Sequence, residues 1–144
     1  MAITVKKITL WRREVENRPG AMASVLDPLA KAGANLQVAM AYRYPGSGTQ
    51  AAIELYPIAG KKLTAAAQAA GLSASSIPTL LVEGDDKPGL GAAQAKAIAD
   101  AGINLSFIIA QVCGKKYSAI FGFESDSDAS KATGLIKKAA AGRR

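Results

Sequence analysis

Two copies of one short polar turn carry the residues of this chain that are best suited to bind a small molecule. The first copy spans residues 17–20 (NRPG) and the second spans residues 86–89 (DKPG). Further along, each copy has a Gly-x-Asn-Leu segment, which contains Asn35 in the first and Asn104 in the second. Since 86 − 17 and 104 − 35 both equal 69, the spacing is the same in both and indicates an internal repeat.

The residue types of the first turn suit a free amino acid, which is a zwitterion and needs donors for its carboxylate and acceptors for its ammonium group. N–H groups at a helix start favour an anion, and glycine at Gly20 or Gly89 lets a ligand approach the backbone. An asparagine amide offers donors and an acceptor, so Asn17 and Asn35 could contact either end of the zwitterion. An ionised Asp86 can only accept, which suits an ammonium group and repels a carboxylate. We therefore expect the first turn to be the better site for an ordinary amino acid.

The same residues also have a structural explanation, which the local sequence leaves open. Asparagine and aspartate are typical helix caps, so Asn17 and Asp86 could simply begin the helices that follow them. Asparagine is tolerated in the left-handed turns that end helices, which is a second role for Asn35 and Asn104. These roles and ligand binding are compatible with each other.

The composition argues against several classes of protein. The chain has 144 residues, 49% of them hydrophobic, and a net charge of +7 that comes in scattered pairs rather than one basic run. Scattered pairs favour solvated turns over a nucleic-acid surface. There is no histidine, which removes the commonest general base and metal ligand, so neither an enzyme nor a cofactor is expected. A single cysteine suits the cytoplasm, and no apolar run is long enough to span a membrane.

Hydrophobic spacing predicts the elements that hold these turns. Residues 3–15 and 72–84 are extended, each before a turn, and an amphipathic helix follows each turn. Two strands and a second helix come next in both copies. Within residues 3–15 the apolar side chains change face at Lys6-Lys7, which predicts either a bulge or a strand that serves two sheets in succession. Pro78 predicts an edge position or a break between two strand segments.

This order predicts an α+β fold of two ferredoxin-like βαββαβ units, each an antiparallel sheet with its helices on one face. We place the units at residues 1–76 and 77–144, with the strand at residues 72–84 shared at the boundary. The second unit has no sequence left for a C-terminal strand of its own. We predict that residues 3–7 supply that missing edge, either within the chain or between two chains.

The residues around the turns resemble the ACT domain. In the first copy the resemblance is carried by residues 16–22 (ENRPGAM), an amphipathic helix and residues 33–36 (GANL); in the second it is carried by residues 85–90 (DDKPGL) and 102–105 (GINL). The two copies together cover nearly the whole chain, which is similar to the stand-alone tandem ACT proteins of bacteria. The resemblance implies a regulatory module that binds an amino acid or a similar small effector near a pairing interface. It also implies a homo-oligomer, in the simplest case a dimer, and a partner enzyme or regulator.

The resemblance implies particular site residues as well. In the serine-sensing ACT domain of phosphoglycerate dehydrogenase, a histidine and an asparagine flank the turn and a second asparagine follows the helix. The asparagines correspond to Asn17 and Asn35 here, whereas the histidine position is Val15 in the first unit and Gly84 in the second. That departure argues against serine itself. The implied ligand-binding residues of both units are Asn17, Arg18, Pro19, Gly20, Ala21, Asn35, Leu36, Asp86, Gly89 and Asn104.

Two functions remain open at this point. The first is a sensor that binds an amino acid and acts on a partner protein. The second is a ligand-free module for protein interaction or oligomerisation, in which the polar turns are structural. RNA-binding domains share the strand and helix order, but the strands here lack the paired aromatic residues on which bases stack, so nucleic acid is not an expected partner. Tyr42, Tyr44 and Tyr117 lie near hairpins and are assigned to packing or to the sheet rim.

Overall fold

The structure, a computed structural model, describes residues 3–141 of the chain. These residues form two compact units: the first unit is Thr9–Ser76, and the second unit combines residues 3–8 with residues 77–141. In chain order the elements are β1 (Thr4–Ile8), β2 (Trp11–Glu16), α1 (Ala21–Lys31), β3 (Val38–Arg43), β4 (Gln50–Tyr56), α2 (Lys61–Ala69), β5 (Ser73–Ala74), β6 (Thr79–Asp85), α3 (Leu90–Asp100), β7 (Leu105–Cys113), β8 (Lys116–Phe123) and α4 (Asp126–Ala141).

Both units have the same antiparallel sheet. The strand order is β3-β4-β2-β5 in the first unit and β1-β6-β8-β7 in the second. In each sheet the strand before the first helix lies centrally, beside the third strand of its unit, which is the ferredoxin-like arrangement. The predicted α+β fold with two such units is therefore confirmed.

Strand β1 completes the second unit. It pairs antiparallel with β6 over five residues, from Thr4 opposite Glu83 to Ile8 opposite Thr79. This confirms that residues near 3–7 supply the missing edge, and it shows that they do so within one chain. The partly buried Ile3 and Val5 pack against the hydrophobic core of the second unit.

The two extended segments each serve both sheets. The first contributes β1 to one sheet and β2 to the other, which is the second of the two explanations for the change of face at Lys6-Lys7. The segment at residues 72–84 likewise divides into β5, which pairs with β2, and β6, which pairs with β1 and β8. Pro78 lies between the two pieces, because proline has no N–H to donate to a ladder.

Each unit has its own apolar core between its sheet and its helices. In the first unit the buried cluster is built from small and aliphatic side chains: Val25, Leu29, Ile53, Leu55, Ala67 and Leu72. The second unit adds the stacked rings of Phe121 and Phe123, whose centroids are 6.4 Å apart. These cores hold the first turns of α1 and α3 against the ends of β2 and β6.

The longest helix is α4, which has 16 residues and therefore a length of about 24 Å. Its start is capped by a side chain, since the Asp128 N–H donates to Ser125 Oγ at 3.1 Å. Asp126 and Asp128 lie in its first turn and Lys138 in its last, which complements the helix dipole. Among residues 3–141, no helix combines the length and the apolar character needed to cross a membrane.

Candidate functional site

The two polar turns have the same backbone geometry. Each ends in a glycine with a left-handed conformation, Gly20 (φ 85°) and Gly89 (φ 81°), which is the N-cap of the helix that follows. A residue with a Cβ would be strained at this φ. The chain repeat at 69 residues is therefore a structural repeat, and glycine is required in both copies.

The hydrogen bonds that hold the turns also match. The N–H of Asn17 donates to the carbonyl of Thr49 at 2.8 Å, and the N–H of Asp86 donates to the carbonyl of Lys115 at 2.8 Å. In both units this bond joins the turn to the hairpin that precedes the third strand of the sheet. These bonds satisfy one backbone N–H of each turn. In the second turn the Lys87 side chain is also engaged, since its Nζ donates to the carbonyl of Ala140 at 3.0 Å.

The capping and left-handed-turn roles considered for the four polar residues are wrong. The glycines are the N-caps, and neither helix has a side-chain cap hydrogen bond, so Asn17 and Asp86 do not cap them. The left-handed residues after the helices are glycines too, and no other residue type in residues 3–141 has a positive φ. Asn104 instead donates from Nδ2 to Glu124 Oε2 at 3.0 Å. Within residues 3–141 the exposed side chains of Asn17 and Asn35 make no hydrogen bond.

A cavity of about 180 Å³ opens beside the first turn, between the start of α1 and strands β2, β3 and β4. Three of the predicted site residues line it: Asn17, Arg18 and Ala21. Two further charged residues, Glu16 and Arg43, lie at the same opening. All four polar or charged side chains are exposed, so they form a rim with one carboxylate, two guanidinium groups and one amide.

The deeper wall of this cavity is apolar. Val15 and Met22 are partly buried, and Ala51 and Ile53 are buried on β4. Ala41 and Tyr42, on the edge strand β3, complete the lining. The cavity therefore joins a polar mouth to an apolar floor, which is the usual composition of a small-molecule site.

The other predicted residues of the first unit lie elsewhere. Pro19 and Gly20 belong to the turn but do not line the cavity. Asn35 and Leu36 follow the far end of α1, which has 11 residues and so separates them from Asn17 by about 16 Å. Leu36 packs against the core of the unit. Within one first unit, Asn17 and Asn35 therefore do not contact the same small ligand.

The second unit fills the space that corresponds to this cavity. Ala51 lies opposite Val15 and Arg43, and the residue in the same place of the second sheet is Tyr117, opposite Gly84 and Val112. Tyr117 is 5% exposed, and a Cβ at Gly91, the counterpart of Met22, would lie 3.6 Å from its hydroxyl oxygen. The tyrosine ring thus extends from β8 to the first turn of α3.

A buried partner holds that ring in place. The Tyr117 hydroxyl donates to Oε1 of Gln94 at 2.9 Å, and Gln94 is fully buried at the position that corresponds to Val25. Burial raises the pKa of Tyr117, which keeps its hydroxyl protonated and able to donate at neutral pH. Asp86 and Gly89 therefore belong to a turn whose interior already contains a side chain of the same unit, whereas Asn104 follows the far end of the 11-residue α3.

Eight of the eleven lining residues are not among the site residues predicted from the sequence, namely Val15, Glu16, Met22, Ala41, Tyr42, Arg43, Ala51 and Ile53. Arg43 and Ala51 meet only because β3 and β4 pair in one register across the hairpin that joins them. The signal available in the sequence was the Pro45-Gly46-Ser47-Gly48 turn, which indicates a hairpin without giving its register.

Tyr42 is held by a polar cluster of the first unit. Its hydroxyl donates to Oε2 of the buried Glu54 at 2.7 Å, and burial together with this bond raises the pKa of Tyr42 to about 12. Next to it, Arg12 bonds to the Tyr44 hydroxyl and to Glu14. These bonds position Tyr42 on β3 and Tyr44 just after this strand.

No protein-family model matches the sequence, and no curated protein matches it significantly. Solved structures do share its fold. A protein from Bacteroides thetaiotaomicron has a TM-score of 0.72 at 12% identity, over 89% of this chain and 87% of that chain. The regulatory subunit of aspartate kinase from Thermus thermophilus has a TM-score of 0.63 at 17% identity, over 96% of this chain and 97% of that chain. The corresponding subunit from Thermus flavus has a TM-score of 0.60 at 17% identity, over 97% of each.

At these identities the likeness concerns the fold alone, and it extends over nearly the full length of the regulatory subunits. The chain shares the fold of these regulatory subunits, and its two ferredoxin-like units correspond to the two copies of the sequence repeat.

Proposed function

We propose that the chain is a regulatory module that binds an amino acid in the cavity of the first unit and acts on a partner protein. The observation that carries this proposal is the cavity itself, in which acceptors and donors for a zwitterion surround one opening. The regulatory subunits of aspartate kinase that share the fold support a regulatory role. No catalytic role is proposed, since no residue lining the cavity is a nucleophile paired with a base.

Each end of an amino acid has partners at the rim. The guanidinium groups of Arg18 and Arg43 are suited to a carboxylate, which arginine binds through two parallel N–H donors. The carboxylate of Glu16 is suited to the ammonium group, and the amide of Asn17 can serve either end. Asn17 makes no side-chain hydrogen bond in residues 3–141, so a ligand would not have to displace a protein partner from it.

We further propose that one chain binds one ligand. The second unit has Asp86 in place of Asn17, and it has the ring of Tyr117 where the first unit has Ala51. A ligand of the same size would have to displace this buried ring together with its bond to Gln94. The role of Asn35, at the far end of α1, stays a prediction that requires a second chain or a different site.

Calorimetric titration of the common amino acids against the full chain tests the proposal. We expect one of them to bind with a stoichiometry of one per chain, and at 100 times its Kd to raise the free energy of unfolding by about 2.7 kcal/mol. Asn17→Ala should weaken binding about tenfold or more, because a hydrogen bond to a charged group is lost. The matched control is Asp86→Ala in the equivalent turn, which should leave the affinity unchanged. A flat titration with every amino acid at millimolar concentration would count decisively against the proposal.

A second candidate, an oligomerisation module, is favoured by strand β7. This strand is the edge of the second sheet and pairs only with β8 in residues 3–141. Its side chains Ile108, Ile109 and Val112 are 41–52% exposed, which leaves an apolar strand with a free row of backbone donors and acceptors. We propose that a second copy of the chain pairs with this edge.

Replacing Val112 by lysine should convert the dimer into a monomer in sedimentation velocity experiments, because a charged side chain would be buried against the partner strand. The control is Gln68→Lys, which adds the same charge on the exposed face of α2. A chain that is monomeric before any substitution, or a Val112→Lys variant that stays dimeric, excludes this edge as the interface. If the dimer forms and no amino acid binds, the interaction module is the function that remains.

A further inference from the structure

We infer that the ligand of the first-unit cavity is an α-amino acid with an uncharged aliphatic side chain of three or four carbon atoms. The inference rests on the proposed function and names the class of ligand for the same site. It follows from the size of the cavity, from the distribution of polar and apolar residues over its depth, and from the identity of residue 51.

The size of the cavity sets the first limit. A cavity of about 150 Å³ holds one benzene molecule, which has six non-hydrogen atoms. The first-unit cavity of about 180 Å³ therefore accommodates about seven non-hydrogen atoms. An amino acid whose carboxylate and ammonium groups remain at the open mouth can bury a side chain of four carbons and its Cα in that space. The indole ring of tryptophan exceeds it.

The floor sets the second limit. Ile53 is 1% exposed and Ala51 is 8% exposed, and together with Val15 and Met22 they form an apolar surface at the inner end of the cavity. The charged lining residues Glu16, Arg18 and Arg43 are all exposed at the mouth. A charged ligand side chain directed inward would lose its water without gaining a partner, which is strongly unfavourable.

The charge of the rim sets the orientation. Two guanidinium groups and one carboxylate give the rim a net charge of +1, so the carboxylate of the ligand is the better-held end. Arg43 is paired directly with Ala51 across β3 and β4, so the Cα atom of Arg43 lies beside the apolar floor of the cavity. A carboxylate held there directs the ligand side chain toward Ala51 and Ile53.

Residue 51 decides how much of this space is open. The second unit shows the effect of a large side chain at the equivalent position, because Tyr117 reaches the first turn of α3 and fills the interior. Ala51 has only a methyl group, and although Val15 and Met22 are larger than their counterparts Gly84 and Gly91, a cavity of about 180 Å³ remains beside it. We therefore assign Ala51 as the residue that determines the size of the ligand.

The test is calorimetry of the full chain with leucine, lysine, aspartate and tryptophan as probes. Leucine should bind at least tenfold more tightly than each of the other three. Ala51→Phe should lower the leucine affinity at least a hundredfold while the circular dichroism spectrum and the thermal midpoint stay near those of the parent chain. Ala51→Val is the milder second variant, and it should shift the preference from leucine toward alanine even if Ala51→Phe does not fold.

The role of Arg43 is separated by a probe without a carboxylate. Arg43→Ala should weaken the binding of leucine at least tenfold. It should leave unchanged the affinity for 3-methylbutylamine, the decarboxylated analogue of leucine. Lysine or aspartate binding as tightly as leucine would overturn the assigned ligand class and leave the proposed function in place. Unchanged leucine binding by both Ala51 variants would place the ligand outside this cavity. Failure of every amino acid to bind would remove the proposed function along with the inference.

Discussion

Removal of residues 1–8 should unfold the second unit and leave the first unit folded. The deleted strand β1 belongs to the second unit by pairing and by packing, since it bonds to β6 over five residues and contributes Ile3, Val5 and Ile8 as partly or fully buried side chains. Each buried aliphatic side chain contributes roughly 1.5–3 kcal/mol. The sum is comparable with the total stability of a small domain, which is about 5–15 kcal/mol.

Hydrogen exchange followed by mass spectrometry measures this effect for each unit separately. Peptides from β6 and β8 should lose protection after the deletion, whereas peptides from β2 and β4 should keep it. A milder variant, Val5→Asp, should act in the same direction because it puts a charge beside the core, and Thr4→Asn on the exposed side of β1 is its control. Retained protection in β6 would mean that β1 contributes little to the second unit.

Tyr117→Ala should destabilise the chain by about 3–5 kcal/mol, the range for truncating a large buried aromatic side chain. The ring is 5% exposed, and it fills the space between β8 and the start of α3. The variant also removes the hydroxyl donor that is bonded to Oε1 of the fully buried Gln94. Because Nε2 of Gln94 already lacks a partner in residues 3–141, the whole amide would then be buried without a hydrogen bond.

Urea denaturation of three variants separates the contribution of ring packing from the contribution of the hydrogen bond to Gln94. Tyr117→Phe keeps the ring and should lose about 1–3 kcal/mol for the unsatisfied amide. Ser130→Ala, at an exposed position of α4, is the control and should change the free energy of unfolding by less than about 0.5 kcal/mol. The cavity left by Tyr117→Ala should bind phenol, which corresponds to the ring that was removed, and phenol should therefore raise the denaturation midpoint of this variant. A loss below 1 kcal/mol for Tyr117→Ala would contradict the role of the ring as the filling of this unit.

The comparison of Ala51 with Tyr117 explains why two copies of one signal need not have one function. Both turns have the same glycine conformation and the same bond to the following hairpin. What differs is the packing behind the turns: the second unit has Tyr117 in the place of Ala51, and it has Gly84 and Gly91 in the places of Val15 and Met22. The proposed ligand site therefore requires both the polar turn and an open cavity between the sheet and the helix behind it.

The structure confirms the predictions that depend on local sequence patterns and on the number of strands in each unit. The order of strands and helices follows from hydrophobic spacing, and the break at Pro78 follows from the missing N–H of proline. The count of strands predicts that the second sheet lacks an edge strand, and residues 3–7 were the extended segment that could supply this strand. The sequence by itself therefore determined the fold and the position of the two turns.

The tertiary structure decided which side chains meet at the turns. Arg43 and Ala51 face Val15 through the register of three strands, and register depends on pairing that no local pattern specifies. The length of α1 separates Asn17 from Asn35, although the sequence marks both with the same amide. The cavity, finally, depends on the difference in side-chain volume between Ala51 and Tyr117. Packing volume is a property of many residues together, so the cavity can be recognised only when the sheet and the helices are assembled.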